Sequence, residues 1–252
     1  MRNGFTTHHK YASVIRSNSQ RPYVTDNNLE AIRSFVEGYK RIKENCSLYS
    51  GVEAKGVSHV YGEFSCARSD VTERVVVLDI EVSLRRNGES KEPEPGTGKR
   101  ASSDQIDLLL FDTKSRALRF FEAKDFSNRE IRALQTNAPK IEKQMKRYRG
   151  QLENPDVGEE MLKGYRAHVA VINQLFKPKQ HLPEPEVIDP IPRVLVFGFD
   201  SSQYKKLKYE AERLEKKPYL LFVYAIGDIK RVKAAALFSG GKKRWAPTIL
   251  ES

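Results

Sequence analysis

The sequence contains little cysteine and no long apolar segment. Cys46 and Cys66 are its two cysteines, and their spacing fits neither a disulfide framework nor a zinc site. We therefore expect buried thiols in a reducing, cytoplasmic setting. No apolar run approaches the roughly 18 residues that a membrane-spanning helix needs, and residues 1–14 lack the apolar core of a secretory signal. Neither a membrane partner nor export is expected.

Two common nucleotide-binding motifs are also absent. No GxGxxG follows a strand pattern and no GxxxxGK[ST] occurs, so neither a dinucleotide site nor an ATP site is indicated. A helicase motor is therefore not expected in this chain. Any processive opening of a duplex would need a partner protein.

Acidic residues are outnumbered by basic ones. The 252 residues include 33 Asp and Glu against 44 Lys and Arg, which gives a formal net charge of +11. This excess favours polyanionic partners such as nucleic acid, although a merely basic soluble protein would also show it. The 39% of hydrophobic residues is typical of a folded chain. Because no convincing linker interrupts the sequence, we expect a single domain over 1–252.

The spacing of apolar residues predicts helices and strands in the first part of the chain. Helical periodicity alternates there with segments in which apolar residues recur at every second position. The predicted elements are helix 28–45, strands 57–66, 75–84, 105–111 and 117–126, and helix 139–152.

The second part of the chain contains continuous apolar runs, which favour parallel strands covered on both faces. Residues 193–199 and 219–226 are predicted strands on either side of a basic helix, 204–216. The fold class is therefore α/β, with a central mixed sheet of an antiparallel meander plus parallel strands, flanked by helices. Three segments without periodicity are a predicted arm at 1–25, a long flexible loop at 85–104 and a basic tail at 240–252.

Three charged residues interrupt the apolar strands of one predicted hairpin. Asp107 lies in the first strand, and Glu122 and Lys124 lie in the second. A four-residue turn would pair Asp112 with Ala117. Counting back along both strands then places Asp107 opposite Glu122 on one face. Lys124 shares this face because the period of a strand is two.

Two adjacent carboxylates repel each other, and each raises the pKa of the other. A divalent cation removes this repulsion, and carboxylate oxygens are the ligands that Mg²⁺ and Mn²⁺ prefer. A metal ion held there polarises a phosphoryl oxygen and activates water. A neighbouring lysine orients that water and balances developing charge. The combination indicates hydrolysis of phosphodiester bonds.

These residues resemble the PD-(D/E)XK nuclease superfamily, whose pattern is an acid on one strand and (D/E)-x-K on the next. Here the pattern is Asp107 followed by Glu122-Ala123-Lys124, with Ile106 in place of the nominal proline. The resemblance implies a restriction-endonuclease-like core. It also implies that Asp107, Glu122 and the main-chain carbonyl of Ala123 hold Mg²⁺ or Mn²⁺. Lys124 would position the attacking water.

The following helix contains Gln144-x-x-x-Tyr148, which is similar to the QxxxY motif of the RecB-like branch. Residues four apart lie on one face of a helix. The resemblance implies that Gln144 and Tyr148 line the site and contact DNA or order the catalytic groups. Lys143 and Arg147 are predicted to contact phosphates. Tyr148 also fits a core aromatic because it continues an apolar stripe.

Several questions stay open at this point. The further ligand that the superfamily usually has upstream is Glu37, His59, Glu63 or Glu81. DNA is favoured over RNA, whereas endonuclease or exonuclease action, sequence specificity and oligomeric state are not readable. A homo-oligomer or a partner such as a helicase is compatible with the sequence. The main alternative function is a non-catalytic nucleic-acid-binding or assembly module that keeps the nuclease-like fold. A third possibility is a protein-interaction domain that uses the basic helix 204–216 against an acidic partner.

Overall fold

A computed structural model describes part of the chain. The chain divides into two compact units, 1–55 and 56–252, and only 50–55 of the first unit is described. Several predicted features lie outside the described residues: the arm at 1–25, the helix 28–45 that includes Glu37, the residue Cys46, and the helix 204–216 beyond Tyr204. The residues described are 50–66, 73–84, 104–131, 140–204, 222–239 and 244–245.

A mixed sheet forms the centre of the second unit. Its described strands are β1 (Val75–Leu84), β2 (Asp104–Asp112), β3 (Ala117–Asp125), β4 (Val187–Ile188), β5 (Arg193–Phe197), β6 (Val223–Ile226) and β7 (Arg244–Trp245). They follow the order β1-β2-β3-β5-β6-β7, and β4 also pairs with β3. The pairs β1–β2 and β2–β3 are antiparallel, whereas β3, β5, β6 and β7 pair in parallel. The predicted α/β class and mixed sheet are confirmed.

Helices lie on both faces of this sheet. The described α-helices are α1 (Val52–Phe64), α2 (Lys140–Leu152), α3 (Pro155–Phe176) and α4 (Ala234–Ser239). Single 3-10 turns occupy Arg129–Ile131 and Ile229–Arg231. Within the described ranges, no helix combines the length and the apolar character needed to cross a bilayer.

Successive residues of β3 belong to two different apolar cores because their side chains point to opposite faces. Leu118 and Phe120 pack in a core that includes Tyr148 of α2. Phe121 and Ala123 pack in the core that α1 and α4 cover. The next residues on the α2 face of β3 are charged, so this face changes from apolar to polar along a single strand.

A tightly bonded turn fixes the register of the β2–β3 hairpin. Asp112 pairs with Ala117, as the sequence predicts. The Asp112 carboxylate accepts hydrogen bonds from Lys114 N at 3.0 Å, Ser115 Oγ at 2.8 Å and Arg74 Nε at 2.7 Å. Burial acts to raise the pKa of Asp112, but these hydrogen bonds outweigh it, and the pKa falls to about 2. The register of the charged residues further along the hairpin follows from this turn.

The predicted strand at 57–66 is wrong, because α1 covers most of it. Gly56, Val57 and Val60 form the buried side of this helix, and Gly56 lies against the ring of Phe197. The apolar face of α1 is narrow, so few residues show the helical period. Val60, Gly62, Phe64 and Cys66 occupy every second position by chance, which suggested a strand although Gly62 is exposed.

Replacing Gly56 by alanine is expected to destabilise the protein by about 1–3 kcal/mol, the usual cost of overpacking. A Cβ at this position would lie 2.5 Å from Cζ of Phe197. Urea unfolding measures the free energy. Gly62→Ala in the same helix is the matched control, because nothing lies within 4 Å of its Cβ position. The control is expected to be stabilised by up to about 1 kcal/mol, and equal loss in both variants would contradict the packing argument.

The sequence did not predict α3. Asn154 caps its N-terminus by accepting a hydrogen bond from Asp156 N at 3.0 Å, and Pro155 occupies the first turn. Both are ordinary signals of a helix start. Val169 and Ile172 are its buried residues, and most of its other residues are exposed or half-buried.

Other predictions are confirmed or corrected at their boundaries. The strand predicted at 75–84 is β1. Cys66 is buried, as expected, and burial raises the pKa of its thiol to about 12. The predicted loop 85–104 is wrong at its last residue, because Asp104 is the first residue of β2; residues 85–103 lie outside the described part. The tail at 240–252 is wrong where 244–245 form β7.

Candidate active site

The predicted site lies where β2 begins and β3 ends, beneath α2. The β2–β3 ladder pairs residues as far as Leu108 and Phe121. One position further, Oδ2 of Asp107 accepts a hydrogen bond from the main-chain N of Ala123 at 2.8 Å. Asp107 is half-buried, and its charge acts on Glu122, as expected from the register of the hairpin.

Glu122 is the most deeply buried charged residue of the site, with 2% of its surface exposed. Its Oε1 accepts hydrogen bonds from Lys124 Nζ at 2.7 Å and from Gln144 Nε2 at 2.7 Å. Among the described residues, Oε2 has no hydrogen-bond partner although it is buried. Lone pairs on this oxygen are therefore available to a ligand.

The pKa of Glu122 is raised to about 7. Burial is the largest cause, and the negative charge of Asp107 is the next. Lys124 and Gln144 act in the opposite direction by stabilising the ionised carboxylate. A carboxyl group with this pKa is partly protonated near neutral pH.

The QxxxY motif forms a hydrogen-bonded chain that ends on β2. The amide nitrogen of Gln144 donates to Glu122 and, at 2.6 Å, to the hydroxyl oxygen of Tyr148. The Tyr148 hydroxyl in turn donates to the carbonyl of Gln105. Burial and then the charge of Glu122 raise the pKa of Tyr148, so the hydroxyl keeps its proton. The described contacts of the motif therefore order Glu122.

Tyr148 is also a core residue, with 1% of its surface exposed. It packs with Ile141 and Met145 in one apolar core. The interpretation of Tyr148 as a core aromatic is confirmed, and it is compatible with the hydrogen bonds of its hydroxyl. Contact of Gln144 or Tyr148 with a nucleic acid stays a prediction.

Asp104 anchors α2 to the first residue of β2. The buried Asp104 carboxylate accepts from Gln151 Nε2 at 2.9 Å and from Arg147 Nε and Nη2, both at 3.3 Å. Half of the Arg147 side chain is exposed, and Lys143 is exposed on the same helix. Arg147 therefore has a structural partner, and phosphate contacts by Lys143 and Arg147 stay predictions.

The structure describes three of the four candidates for a further upstream ligand. Glu81 occupies the position of β1 opposite Asp107 and has a left-handed φ of 53°, but its side chain is exposed. His59 has a buried Nε2 without a hydrogen-bond partner among the described residues, and Glu63 is exposed on α1. Within the ranges described, no three His, Cys, Asp or Glu side chains lie close enough to hold a metal ion.

One acid near the site was not predicted. Glu130 lies on the 3-10 turn after β3, and its Oε2 is 3.6 Å from Nζ of Lys124. A signal was present in the sequence, because Asn128 two residues earlier is typical of a turn in which the side chain accepts from the main chain. Nothing in the spacing indicated that this turn returns to Lys124.

The donor groups present fit a divalent cation such as Mg²⁺ or Mn²⁺. Two carboxylates lie side by side, and Oε2 of the buried Glu122 lacks a hydrogen-bond partner among the described residues. The Ala123 side chain packs in the core on the other face, so only its main chain can reach the site. Two carboxylates are a sufficient protein contribution for Mg²⁺, which keeps water and phosphate oxygens as its other ligands.

A scan against protein-family models and searches of curated proteins and of solved structures found no match. The resemblance to PD-(D/E)XK nucleases therefore depends on the residues of this chain and on the contacts described above.

Proposed function

We propose that this protein is a metal-dependent nuclease of PD-(D/E)XK type, with a restriction-endonuclease-like core, that hydrolyses phosphodiester bonds of DNA. The observation that carries the proposal is the buried patch in which Asp107, Glu122 and Lys124 meet. Oε1 of Glu122 is bonded to the lysine at 2.7 Å, while Oε2 lacks a hydrogen-bond partner among the described residues. An unpartnered buried oxygen is costly unless a ligand completes it.

Each residue of the patch has a role in this proposal. Asp107 and Glu122, with the main-chain carbonyl of Ala123, would hold the ion. When bound, Mg²⁺ or Mn²⁺ supplies Lewis-acid polarisation of the phosphate and lowers the pKa of water. Lys124 would donate a hydrogen bond to the attacking water and offset negative charge on the phosphate. Gln144 would hold Glu122 in place through its amide.

The substrate class follows from the charge around the patch. The exposed side of α2 carries Lys140, Lys143 and Lys146, and the chain has a net charge of +11. Cations in such an arrangement bind phosphates and release counterions. DNA rather than RNA follows from the resemblance, and a homo-oligomer or a partner protein such as a helicase stays compatible with the proposal.

Metal-dependent cleavage tests the proposal directly. Supercoiled plasmid, linear duplex and single-stranded DNA are incubated with the protein in Mg²⁺, Mn²⁺ or EDTA, with a single-stranded RNA as the further substrate. We expect cleavage in metal that stops in EDTA and falls at least about 100-fold in Asp107→Asn, because a ligand is lost. Asp156→Asn, at an exposed position of α3, is the matched control and is expected to cut normally.

A non-catalytic nucleic-acid-binding or assembly module is the second candidate. It is favoured by one observation: Lys124 and Gln144 both bond to Glu122 and stabilise part of its charge. This candidate predicts DNA binding that is equal in Mg²⁺, in EDTA and in Asp107→Asn, with no cleavage of any substrate. Gel-shift measurements on the same samples therefore separate the two functions.

A further inference from the structure

The ammonium of Lys124 lies close to two glutamate carboxylates, one inside the predicted motif and one outside it. Oε1 of the motif residue Glu122 is 2.7 Å from Nζ of Lys124, and Oε2 of Glu130 is 3.6 Å from it. Lys124 itself is 7% exposed. Glu130 lies outside the motif, and its side chain is 38% exposed, so it reaches the lysine from the solvent edge of the site.

The turn that carries Glu130 is firmly built. Phe126 N donates to the carbonyl of Phe197 at 2.7 Å, which ties the end of β3 to β5. Asn128 Oδ1 accepts from the main-chain N of Glu130 at 2.8 Å. The next residue, Ile131, is 3% exposed and packs in the core. The main chain of Glu130 is thereby fixed relative to β3.

Asp125, the last residue of β3, supports the same turn. Its Oδ1 accepts from Ser127 N at 2.8 Å and Ser127 Oγ at 2.5 Å. The other carboxylate oxygen lies against Gly198, whose φ of 77° and missing side chain make room for it. Two strands and two turns therefore hold Glu130 where it meets Lys124.

Glu130 is placed to act on Lys124 and not on a metal ion. No third carboxylate of the described part joins Asp107 and Glu122 closely enough to complete a metal site. Oε1 of Glu122 is the nearer of these two carboxylate oxygens to the Lys124 ammonium, so the ammonium would compete with a cation for Glu122, and more strongly with Glu130 absent. A second carboxylate gives the ammonium another partner when the cation binds.

We propose that Glu130 is a positioning residue that holds Lys124 at the site while Glu122 serves the divalent cation. The inference rests on the proposed function for its catalytic part. The contact between Glu130 and Lys124 does not depend on cleavage of DNA, and the competition for Glu122 is measured by metal affinity, so the two parts of the inference are tested separately.

The first test is a cycle of Mn²⁺ affinities by titration calorimetry on the full chain, with Glu130→Gln, Lys124→Met and the double variant. Glu130→Gln is expected to weaken Mn²⁺ binding about threefold to tenfold when Lys124 is present and not in the Lys124→Met background. Equal weakening in both backgrounds would make Glu130 a metal ligand and overturn the proposal. Glu186→Gln is the matched control, since Glu186 pairs with Arg116 at the opposite end of β3.

The second test is single-turnover cleavage at saturating Mn²⁺. Glu130→Gln is expected to slow cleavage about 10- to 100-fold, the usual effect of a misplaced group, with the KM for DNA unchanged. Glu130→Asp keeps the charge and is expected to recover part of the rate. Full activity of Glu130→Gln would overturn the positioning role.

The outcomes also separate this inference from the proposed function. A wild-type protein that binds Mn²⁺ but cuts no nucleic acid would contradict the nuclease function and the catalytic part of this inference. Coupling in the affinity cycle would still support the effect of Glu130 on metal binding through Lys124. If the wild type cuts DNA but the affinity cycle shows no coupling between Glu130 and Lys124, the nuclease function is supported and the inference about Glu130 is overturned.

Discussion

Replacing Lys124 by alanine is expected to slow metal-dependent cleavage by about 100- to 1000-fold, the range seen when one charge-stabilising donor is removed from an active site. The Lys124 side chain is bonded to Glu122 and is 7% exposed, and a water molecule that entered the space left by the side chain would carry no positive charge. Single-turnover cleavage of linear duplex at saturating Mg²⁺ measures the chemical step apart from DNA binding.

The control for this prediction is Lys163→Ala. Lys163 is an exposed lysine of α3, so its removal changes the net charge equally without touching the patch. Similar losses in both variants would show that overall charge, and not the position of Lys124, determines the rate. Wild-type cleavage by Lys124→Ala would contradict the proposed role outright. Circular dichroism and thermal unfolding check that both variants are folded.

The second large effect concerns stability. Without metal, the protein is expected to lose up to about 3 kcal/mol of folding free energy from Glu122 as the pH rises from about 5 to 8. The pKa of Glu122 is about 7 in the folded state against an ordinary 4.5. Between these values the unfolded chain has released the proton while the folded chain still binds it. Raising the pH therefore favours the unfolded state.

Glu122→Gln is expected to remove this dependence and to be more stable than the wild type at pH 8 in EDTA, although it is inactive. The amide keeps an oxygen that accepts from Lys124 and carries no charge to bury. Urea unfolding at pH 5, 6, 7 and 8 measures the slope. Asp112, with its pKa near 2, loses its contribution as the pH falls below about 4, which is outside this window.

Glu159→Gln provides the comparison for the pH series, because Glu159 is exposed on α3. It is expected to keep the wild-type slope. If Glu122→Gln also kept that slope, the raised pKa of Glu122 would be contradicted. Added Mn²⁺ is expected to restore the stability of the wild type at pH 8 and to leave Glu122→Gln almost unchanged, since binding to the folded state stabilises it.

The hairpin was predictable because its determinants are local. Alternating side chains and the turn after Asp112 set the register, and the register alone places Asp107 beside Glu122. The helix α1 was not predictable in the same way. Its buried side includes the close approach of Gly56 to Phe197, a residue that is distant in sequence. Its few apolar positions fit the helical period and the strand period equally well.

Some residues of the site were likewise predictable from local sequence, whereas others depend on residues that are distant in the chain. Gln144 could be placed near Glu122 because α2 follows the hairpin and has one apolar face. Glu130 could not be placed, since its position depends on Asp125 fitting against Gly198 at the end of another strand. Arg147 was predicted as a phosphate contact, and its bond to Asp104 depends on which residue begins β2.

The locality of the hairpin also bears on the order in which the chain folds. A four-residue turn connects β2 to β3, whereas α2 and α3 separate β5 from β3 along the chain. Short loops close at lower entropic cost and sooner than long ones. Asp107 and Glu122 therefore meet before Gln144 and β5 surround them. In the early hairpin, only solvent screens the repulsion between the carboxylates of Asp107 and Glu122. Binding of a proton or a divalent cation to these carboxylates would therefore stabilise the hairpin on which the rest of the sheet assembles.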